Sequence, residues 1–209
     1  GYPDFIELEQ GTDFEDNSSF PGTDYRNSDL SNFNAYKLNF NLGNFSDVNL
    51  EGKRMRQSSF IGANFLNANL KGGERSGANF SNANFEGADL TGADLQDANL
   101  SGTNIHLATI NGAWFSLGTI WPSGFDYLNS GAWGPNVDFR NLDLSSFNAY
   151  RKIMDNANFS NVNLEGKRMR QSSFIGANFS NANLKGGERS GANFSNANFE
   201  GADLTGADL

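Results

Sequence analysis

The sequence has no cysteine, one histidine and no long apolar run among its 209 residues. Without cysteine there is no disulfide and no thiolate metal site, and the single histidine, His106, argues against histidine-based catalysis and histidine-rich metal centres. Because no 18 consecutive residues are apolar, the sequence predicts no segment that spans a membrane. Nor does it contain a Ser/His/Asp set, a phosphate-binding loop or a calcium-binding nonapeptide motif. We therefore expect no catalytic residue, no cofactor and no metal.

The net charge of −9 is unevenly distributed. Residues 1–30 carry eight acidic residues and one basic residue, whereas residues 31–209 carry 16 acidic and 14 basic residues. We expect residues 1–19 to form an acidic N-terminal cap, since they fit the pattern described below poorly. The remaining charges are interleaved rather than gathered into one dominant basic surface, which argues against direct nucleic-acid binding.

Apolar residues recur every five positions, as at Phe60, Phe65 and Leu70, and a small residue stands two positions before most of them. Neither an α-helix nor a flat strand has a period of five. Like residues also recur every 20 positions, and two such columns are Tyr25, Phe45, Phe65, Phe85, Ile105 and Phe20, Phe40, Phe60, Phe80, Leu100, Ile120. This pattern predicts a solenoid of four-sided coils, stacked about 4.8 Å apart, with the large and small residues pointing inward.

Polar residues stand just before the core positions, for example Asn64 and Asp89. Although these side chains could be mistaken for metal ligands, stacked Asn and Asp more often shape turns and form ladders. We predict turns and ladders here.

The stretch ANFSNANFEGADLTGADL, at residues 78–95, resembles the pentapeptide-repeat proteins, whose consensus is A-(D/N)-(L/F)-X-X. The resemblance extends over about residues 20–120 and 137–209. It implies an all-β fold, a right-handed quadrilateral parallel β-helix with stacked Phe and Leu in the core. Because cyanobacteria hold many such proteins, it also favours a cyanobacterial source.

The second half of the chain copies the first at an offset of 114 residues. Residues 45–95 and 159–209 differ only at Asp47/Asn161 and Leu66/Ser180, and both copies contain FNAY, at 33–36 and 147–150. The sequence predicts a repeat run at 20–120, an interrupting loop rich in Trp, Pro and Gly at 121–136, and a second run at 137–209. Since the chain begins without Met and ends within a repeat, we expect it to be a piece of a longer protein. Separately, we expect a cytoplasmic location.

One side of the predicted coil departs from the pattern in both copies. The stretch EGKRMRQSSF, at 51–60 and again at 165–174, puts Lys53 in a slot for a small residue, and in the next coil Gly73 takes the small slot while Arg75 takes the large one. In the preceding coil Phe33 takes the slot for a small residue and Ala35 the slot for a large one, so the total side-chain volume of the pair is conserved. No acidic residue shares the inward register, and an unpaired buried charge costs several kcal/mol, on the order of 3–5.

Two interpretations of this side remain open. Either the side bulges and the side chains of Lys53 and Arg75 extend to solvent along their methylene groups, or the basic residues form a patch that binds an acidic partner or an anion. The candidate partner-binding residues are Lys53, Arg54, Arg56, Arg75 and their copies Lys167, Arg168, Arg170, Arg189. We also expect Arg54, Glu74 and Asp94, which are 20 residues apart, to form an ion ladder.

The loop at 121–136 gathers Trp121, Phe125, Tyr127 and Trp133 within 13 residues. These aromatic residues either cap the exposed core or anchor a partner, since Trp and Tyr are typical hot-spot residues. Trp121, Tyr127 and Trp133 are therefore further candidate partner-binding residues.

We predict a non-enzymatic scaffold, a solenoid that binds other proteins as part of a larger assembly. The alternative that the family resemblance offers is a DNA-mimicking modulator of a topoisomerase such as gyrase. Mimicry requires a continuous negative surface, and the nearly balanced charge of residues 31–209 argues against it.

Overall fold

The computed structural model describes residues 20–208, in which successive coils are joined by single-residue parallel bridges rather than by extended strands. Within residues 20–208 the helices are two short 3₁₀ turns, Ile105–Leu107 and Tyr127–Asn129. The chain divides into two compact units, one up to Ser130 and one from Gly131. This division falls inside the predicted loop, and the boundaries proposed at 120 and 137 stay a prediction. The acidic segment predicted at 1–19 lies outside the described residues.

Bridges between residues 20 apart set the length of each coil in the first unit. Four bridging positions, five residues apart, occur in each regular coil; the pairs along one coil are Asn44 with Asn64, Asn49 with Asn69, Arg54 with Glu74, and Ser59 with Asn79. Main-chain bonds run in both directions from each coil: Phe65 N donates to Asn84 O at 2.8 Å, and Asn64 N donates to Gly43 O at 2.9 Å. The spacing predicted from the sequence columns is therefore the spacing of the main-chain pairing.

The core consists of phenylalanine rings stacked from coil to coil. The ring centroids of Phe45 and Phe65 are 5.1 Å apart and those of Phe65 and Phe85 are 5.3 Å apart, with nearly parallel planes. Adjacent columns meet edge to face, as between Phe65 and Phe80 at 5.8 Å. Ala63 and the other small residues two positions before these rings are buried as well, which confirms the predicted inward positions.

The polar residue before each core position shapes the corner that follows. Asn64 Oδ1 accepts a bond from Leu66 N at 3.2 Å, and Asp89 Oδ1 accepts one from Thr91 N at 3.0 Å. The asparagines also bond to each other between coils, from Asn84 Nδ2 to Asn64 Oδ1 at 2.9 Å. The prediction of turns and ladders is confirmed.

The prediction that Ile120 belongs to the core is wrong, because its side chain is 53% exposed. Asn99 bridges Ile120 across 21 residues instead of 20, so one extra residue enters the coil. The extra residue is accommodated in the turn at 116–119, where Thr119 is buried. Thr119 N donates to Ser116 O at 3.1 Å, and its Oγ1 donates to Leu95 O at 2.9 Å. The five-residue pattern hides this insertion because an apolar residue still stands at position 120.

The second unit has the same construction, shifted by one position in the five-residue pattern. Its bridges join residues 20 apart, from Asp138 with Asn158 to Glu188 with Asp208. Leu144, Phe159 and Leu164 are buried, which confirms the shifted core positions. The second unit therefore contains its own stacked core.

We predict that Phe65→Ala lowers the free energy of unfolding of the first unit by about 3–5 kcal/mol, because it leaves a cavity between rings of both neighbouring coils. Chemical denaturation followed by circular dichroism measures the change. The matched control is Leu66→Ser, which places in the first copy the residue found at position 180 of the second, and which should change stability by less than about 0.5 kcal/mol. Equal losses in the two variants would contradict a core held together by stacked rings.

Candidate interaction site

Lys53 extends from the irregular side of its coil to the preceding coil. Its Nζ donates to Ser31 O, and the copy Lys167 donates in the same way to Ser145 O, at 2.6 Å. Here Asp29, 20 residues before Asn49, forms no bridge, and the same bridge is missing at Asp143 in the second unit. The lysine therefore links two coils where their main-chain pairing is interrupted.

The interrupted pairing opens a shallow groove beside Lys53, with a volume of about 460 Å³. Leu30 and Val48 lie in the groove, and Arg26, Asp29 and Glu51 line it. In this groove Arg26 is already paired with Asp24 at 2.6 Å, and acids balance the cations, so it offers no excess positive charge to a ligand. The second unit has a groove of about 360 Å³ lined by Arg140 and Lys167 without an acid, and there Arg140 is paired with Asp138 at 2.6 Å.

The expectation that Arg75 extends to solvent is wrong, and the same holds for Arg189: these side chains are 0% and 1% exposed. Backbone carbonyls take the place of the missing acid. Arg75 Nη1 donates to Gly72 O and Nη2 to Leu50 O at 3.3 Å, while Arg189 Nη2 donates to Leu184 O at 2.7 Å. The empty slot at Gly73 makes room for the guanidinium, because a Cβ there would lie 2.6 Å from Arg75 Nη1.

Burial lowers the pKa of Arg75 to about 10, and the nearby carboxylate of Asp94 acts in the opposite direction. The guanidinium therefore keeps its charge at neutral pH. Burial also lowers the pKa of Arg189. Both arginines are part of the core and present no surface to a partner, so the predicted basic patch is reduced to the other residues.

Arg54 and Arg56 lie on the surface and share a single carboxylate. Arg54 Nε is 3.2 Å from Glu74 Oε2, and Arg56 Nη1 is 3.6 Å from the same oxygen. In the second unit Arg168 and Arg170 repeat the arrangement around Glu188, at 3.1 and 3.6 Å. The Arg54–Glu74 step of the expected ion ladder is confirmed.

An exposed tyrosine, Tyr36, lies one coil before this pair of arginines, and it was not among the candidate residues predicted from the sequence. Lys37 N donates to Arg56 O at 3.2 Å, which places Tyr36 and Lys37 beside Arg56. Lys37 Nζ is 4.9 Å from the centre of the Tyr36 ring. The second unit repeats this with Arg151 at 5.1 Å from Tyr150. The repeat of FNAY in both copies was the sequence signal that could have identified this tyrosine.

We call this surface the Tyr–Arg cluster. In the first unit it comprises Tyr36, Lys37, Arg54, Arg56 and Glu74, and in the second Tyr150, Arg151, Arg168, Arg170 and Glu188.

The aromatic residues of the loop pack against the ends of the two cores. Trp121 and Tyr127 lie edge-on to Phe115, at 5.8 and 5.4 Å, and their own rings stack with planes 4° apart. Trp133 is buried in the second unit, 5.5 Å from Phe147. These contacts favour the capping interpretation, and partner binding by the three residues stays a prediction.

Within residues 20–208 no group of three or more acidic or histidine side chains is arranged to hold a metal ion. The same part of the chain has no helix with the length and apolarity needed to cross a bilayer.

The family model for pentapeptide repeats matches the chain in eight copies, at residues 39–73, 76–116, 153–187 and 190–209. These ranges include more than half of the sequence. No curated protein has a significantly similar sequence.

Solved structures of pentapeptide-repeat proteins are also similar to the chain. HetL, involved in heterocyst differentiation regulation in the cyanobacterium Nostoc sp. strain PCC 7120, is 22% identical over 92% of this chain and 85% of its own, with a TM-score of 0.46. The protein alr5209 from Nostoc is 34% identical over 43% of this chain and 74% of its own, with a TM-score of 0.41. QnrB1, a plasmid-mediated fluoroquinolone resistance protein, is 23% identical over 80% of this chain and 93% of its own, with a TM-score of 0.31.

We predict that Gly73→Ala destabilises the first unit by about 1–3 kcal/mol more than Gly52→Ala. The two glycines have φ of +71° and +69°, so both substitutions impose similar backbone strain. A Cβ at Gly52 meets nothing within 4 Å, whereas one at Gly73 would lie 2.5 Å from Lys53 O and 2.6 Å from Arg75 Nη1. Denaturation of the two variants side by side measures the difference.

Combining Gly73→Ala with Arg75→Leu reproduces the regular pair of the next coil, Ala93 and Leu95. We expect the double variant to recover part of the stability lost in Gly73→Ala, because it removes the buried charge and the contact with Arg75 Nη1, whereas the contact with Lys53 O remains. A double variant as unstable as the single one would show that the glycine serves something other than Arg75.

Proposed function

The chain belongs to the pentapeptide-repeat family, and on that premise we propose that it is a non-enzymatic scaffold whose sides bind other proteins. The observation that carries the proposal is the duplication of an exposed charged surface in two separate units. The Arg56–Glu74 and Arg170–Glu188 distances are both 3.6 Å. A repeated surface of this kind suits two equivalent docking sites, whereas catalysis seldom needs a second copy of its site.

Family membership also supports a right-handed quadrilateral β-helix as the form of the coils. A core filled with stacked rings leaves the described coils without an interior pocket for chemistry, so binding falls to the outer sides. Such sides are rigid because each residue is tied to the coils before and after it. Rigid surfaces lose little entropy when a partner docks on them.

The alternative, a DNA-mimicking modulator of a topoisomerase, is less well supported. All 15 lysines and arginines lie within residues 20–208, together with 18 acidic residues, so the repeats lack the continuous negative charge of DNA. We expect no inhibition or protection of purified gyrase in a supercoiling assay. Clear modulation at a concentration stoichiometric with gyrase would favour the alternative over the scaffold.

We expect the chain, used as bait in an extract of its source organism, to retain proteins that also bind it directly once they are purified. The test variant changes four exposed arginines to alanine: Arg54, Arg56, Arg168 and Arg170. It should weaken direct binding about tenfold or more, the effect expected for contacts at a charged interface. Lys53 and Lys167 remain unchanged because they bond to backbone carbonyls of the preceding coil.

The matched control for this test is Lys71→Ala with Lys185→Ala. Both lysines are exposed, and each is paired with an aspartate at 3.1 Å on a neighbouring side. The control should keep its partners. An unchanged partner set in the arginine variant would remove the Tyr–Arg cluster from the proposal, and the absence of any direct partner would overturn the scaffold itself.

A further inference from the structure

The Tyr–Arg cluster of the first unit places two arginines around one carboxylate, and a third cation, Lys37, lies over the Tyr36 ring. Both Arg54 Nε and Arg56 Nη1 approach Glu74 Oε2, and Arg54 Nη2 lies 3.4 Å from Glu74 Oε1. The two arginine side chains are 60% and 48% exposed. Because a guanidinium has five N–H donors, donors remain on both residues after these contacts. The cluster therefore has an excess of positive charge and directed donors on its outer surface.

An exposed aromatic ring lies one coil before these arginines, where Lys37 N donates to Arg56 O at 3.2 Å. Tyr36 is 51% exposed and Tyr150 is 40% exposed, each with a cation over its ring. Tyrosine and arginine are the residue types most enriched where binding energy concentrates in protein interfaces. The ring supplies apolar area that a purely ionic surface would lack.

The two copies of the cluster show which of its features were retained. Positions 37–43 and 151–157 differ throughout, KLNFNLG against RKIMDNA, and even the core residue Phe40 is replaced by Met154. The tyrosine directly before this diverged stretch is the same in both copies, as Tyr36 and Tyr150. In each copy a cation lies over its ring, Lys37 in the first and Arg151 in the second. The packing of the coil accepts different residues, whereas the surface chemistry is the same.

The backbone at this cation is strained in both copies. Lys37 has φ of +58° and Arg151 has φ of +57°, in the left-handed region that glycine and asparagine adopt most easily. The corresponding turn position in a later coil is Gly77. The coil that follows Lys37 has Gln57 at this position with φ of +56°, so the turn accepts several residue types and does not itself require a cation.

We propose that each Tyr–Arg cluster binds a short carboxylate-rich segment of a partner protein, an inference that rests on the proposed scaffold function. Carboxylates of the segment accept bonds from Arg54 and Arg56, for which the planar guanidinium is well suited. The chain of the segment lies against Tyr36. The second unit binds an equivalent segment at Tyr150.

The neighbouring charges favour a short acidic peptide over a nucleic acid. On the same side of the coil, the residues that follow Arg54 at intervals of 20 are Glu74 and Asp94. A nucleic acid gains affinity by contacting many successive phosphates, and its backbone would extend from the cluster onto these carboxylates. A peptide with a few carboxylates is short enough to contact only the cationic coils.

The probe for the test is a fluorescein-labelled short peptide of alternating glutamate and serine, with anisotropy measured on the whole chain at about 50 mM salt. The test variant is Arg56→Glu with Arg170→Glu, and we expect it to bind at least about tenfold more weakly than the unmodified chain. The control variant, Lys71→Glu with Lys185→Glu, has the same change in net charge on a neighbouring side, and it should bind within about twofold of the unmodified chain.

A neutral variant separates the cluster from a general charge effect. Tyr36→Ala with Tyr150→Ala leaves the net charge unchanged and should weaken binding by about threefold or more, since it removes the ring. Circular dichroism and unfolding midpoints establish that each variant folds. If the glutamate variant does not fold, the tyrosine variant and Arg56→Lys with Arg170→Lys decide the question, and the lysine variant should bind about threefold more weakly because it keeps the charge but loses the planar pair of donors.

Four results would overturn the inference: no binding of the peptide, equal binding of a glutamine analogue of the peptide, equal weakening in the Lys71 and Lys185 control, or stronger binding of a DNA duplex of similar charge. The scaffold proposal is judged separately. Partners found by direct binding that still bind the Arg56→Glu and Arg170→Glu variant would end the acidic-peptide inference and leave the scaffold standing, whereas a chain without any direct partner would end the scaffold proposal.

Discussion

Main-chain hydrogen bonds between adjacent coils determine the position of almost every side chain in this protein. The amide of a core residue donates to a carbonyl 19 residues further along, as from Phe65 to Asn84 at 2.8 Å, and the amide of the residue before it donates backwards, from Asn64 to Gly43. Because these bonds fix the register, like residues lie above one another. The phenylalanine stacks, the asparagine ladder and the Arg54–Glu74 pair all follow from that register.

The irregular side shows what the register permits when a residue does not suit its slot. Arg75 lies in the core without an acidic partner because the carbonyl oxygens of Gly72 and Leu50 accept bonds from its two Nη groups. Lys53 bonds to Ser31 O where the bridge between Asp29 and Asn49 is missing. In both cases the donors of a long cation are bonded to backbone carbonyl oxygens. The two residues that first suggested a binding patch therefore serve the fold, and the exposed cations of the predicted patch are their neighbours Arg54 and Arg56.

The sequence predicted the columns, the inward positions, the duplication and the Arg54–Glu74 pair, because each of these depends on spacing alone. Three features could not be predicted from spacing. The extra residue at 116–119 leaves an apolar residue in phase at Ile120, so the pattern continues across a coil that has changed length. The partners of Arg75 are backbone carbonyls, which are present at every position and leave no mark in the sequence. Tyr36 belongs to FNAY, which indicated the duplication but did not reveal that its ring is exposed beside a cation.

The short range of the bonds between coils has an evolutionary consequence. Since a residue's main-chain partners lie about 20 positions away, a gene segment that encodes several successive coils encodes nearly all the contacts that those coils need. Recombination can then copy such a segment as a working module, without compensating changes elsewhere. Residues 45–95 and 159–209, which differ at two outward positions, match the outcome of such an event. Residues 37–43 and 151–157, which differ at every position, lie outside the near-identical segments.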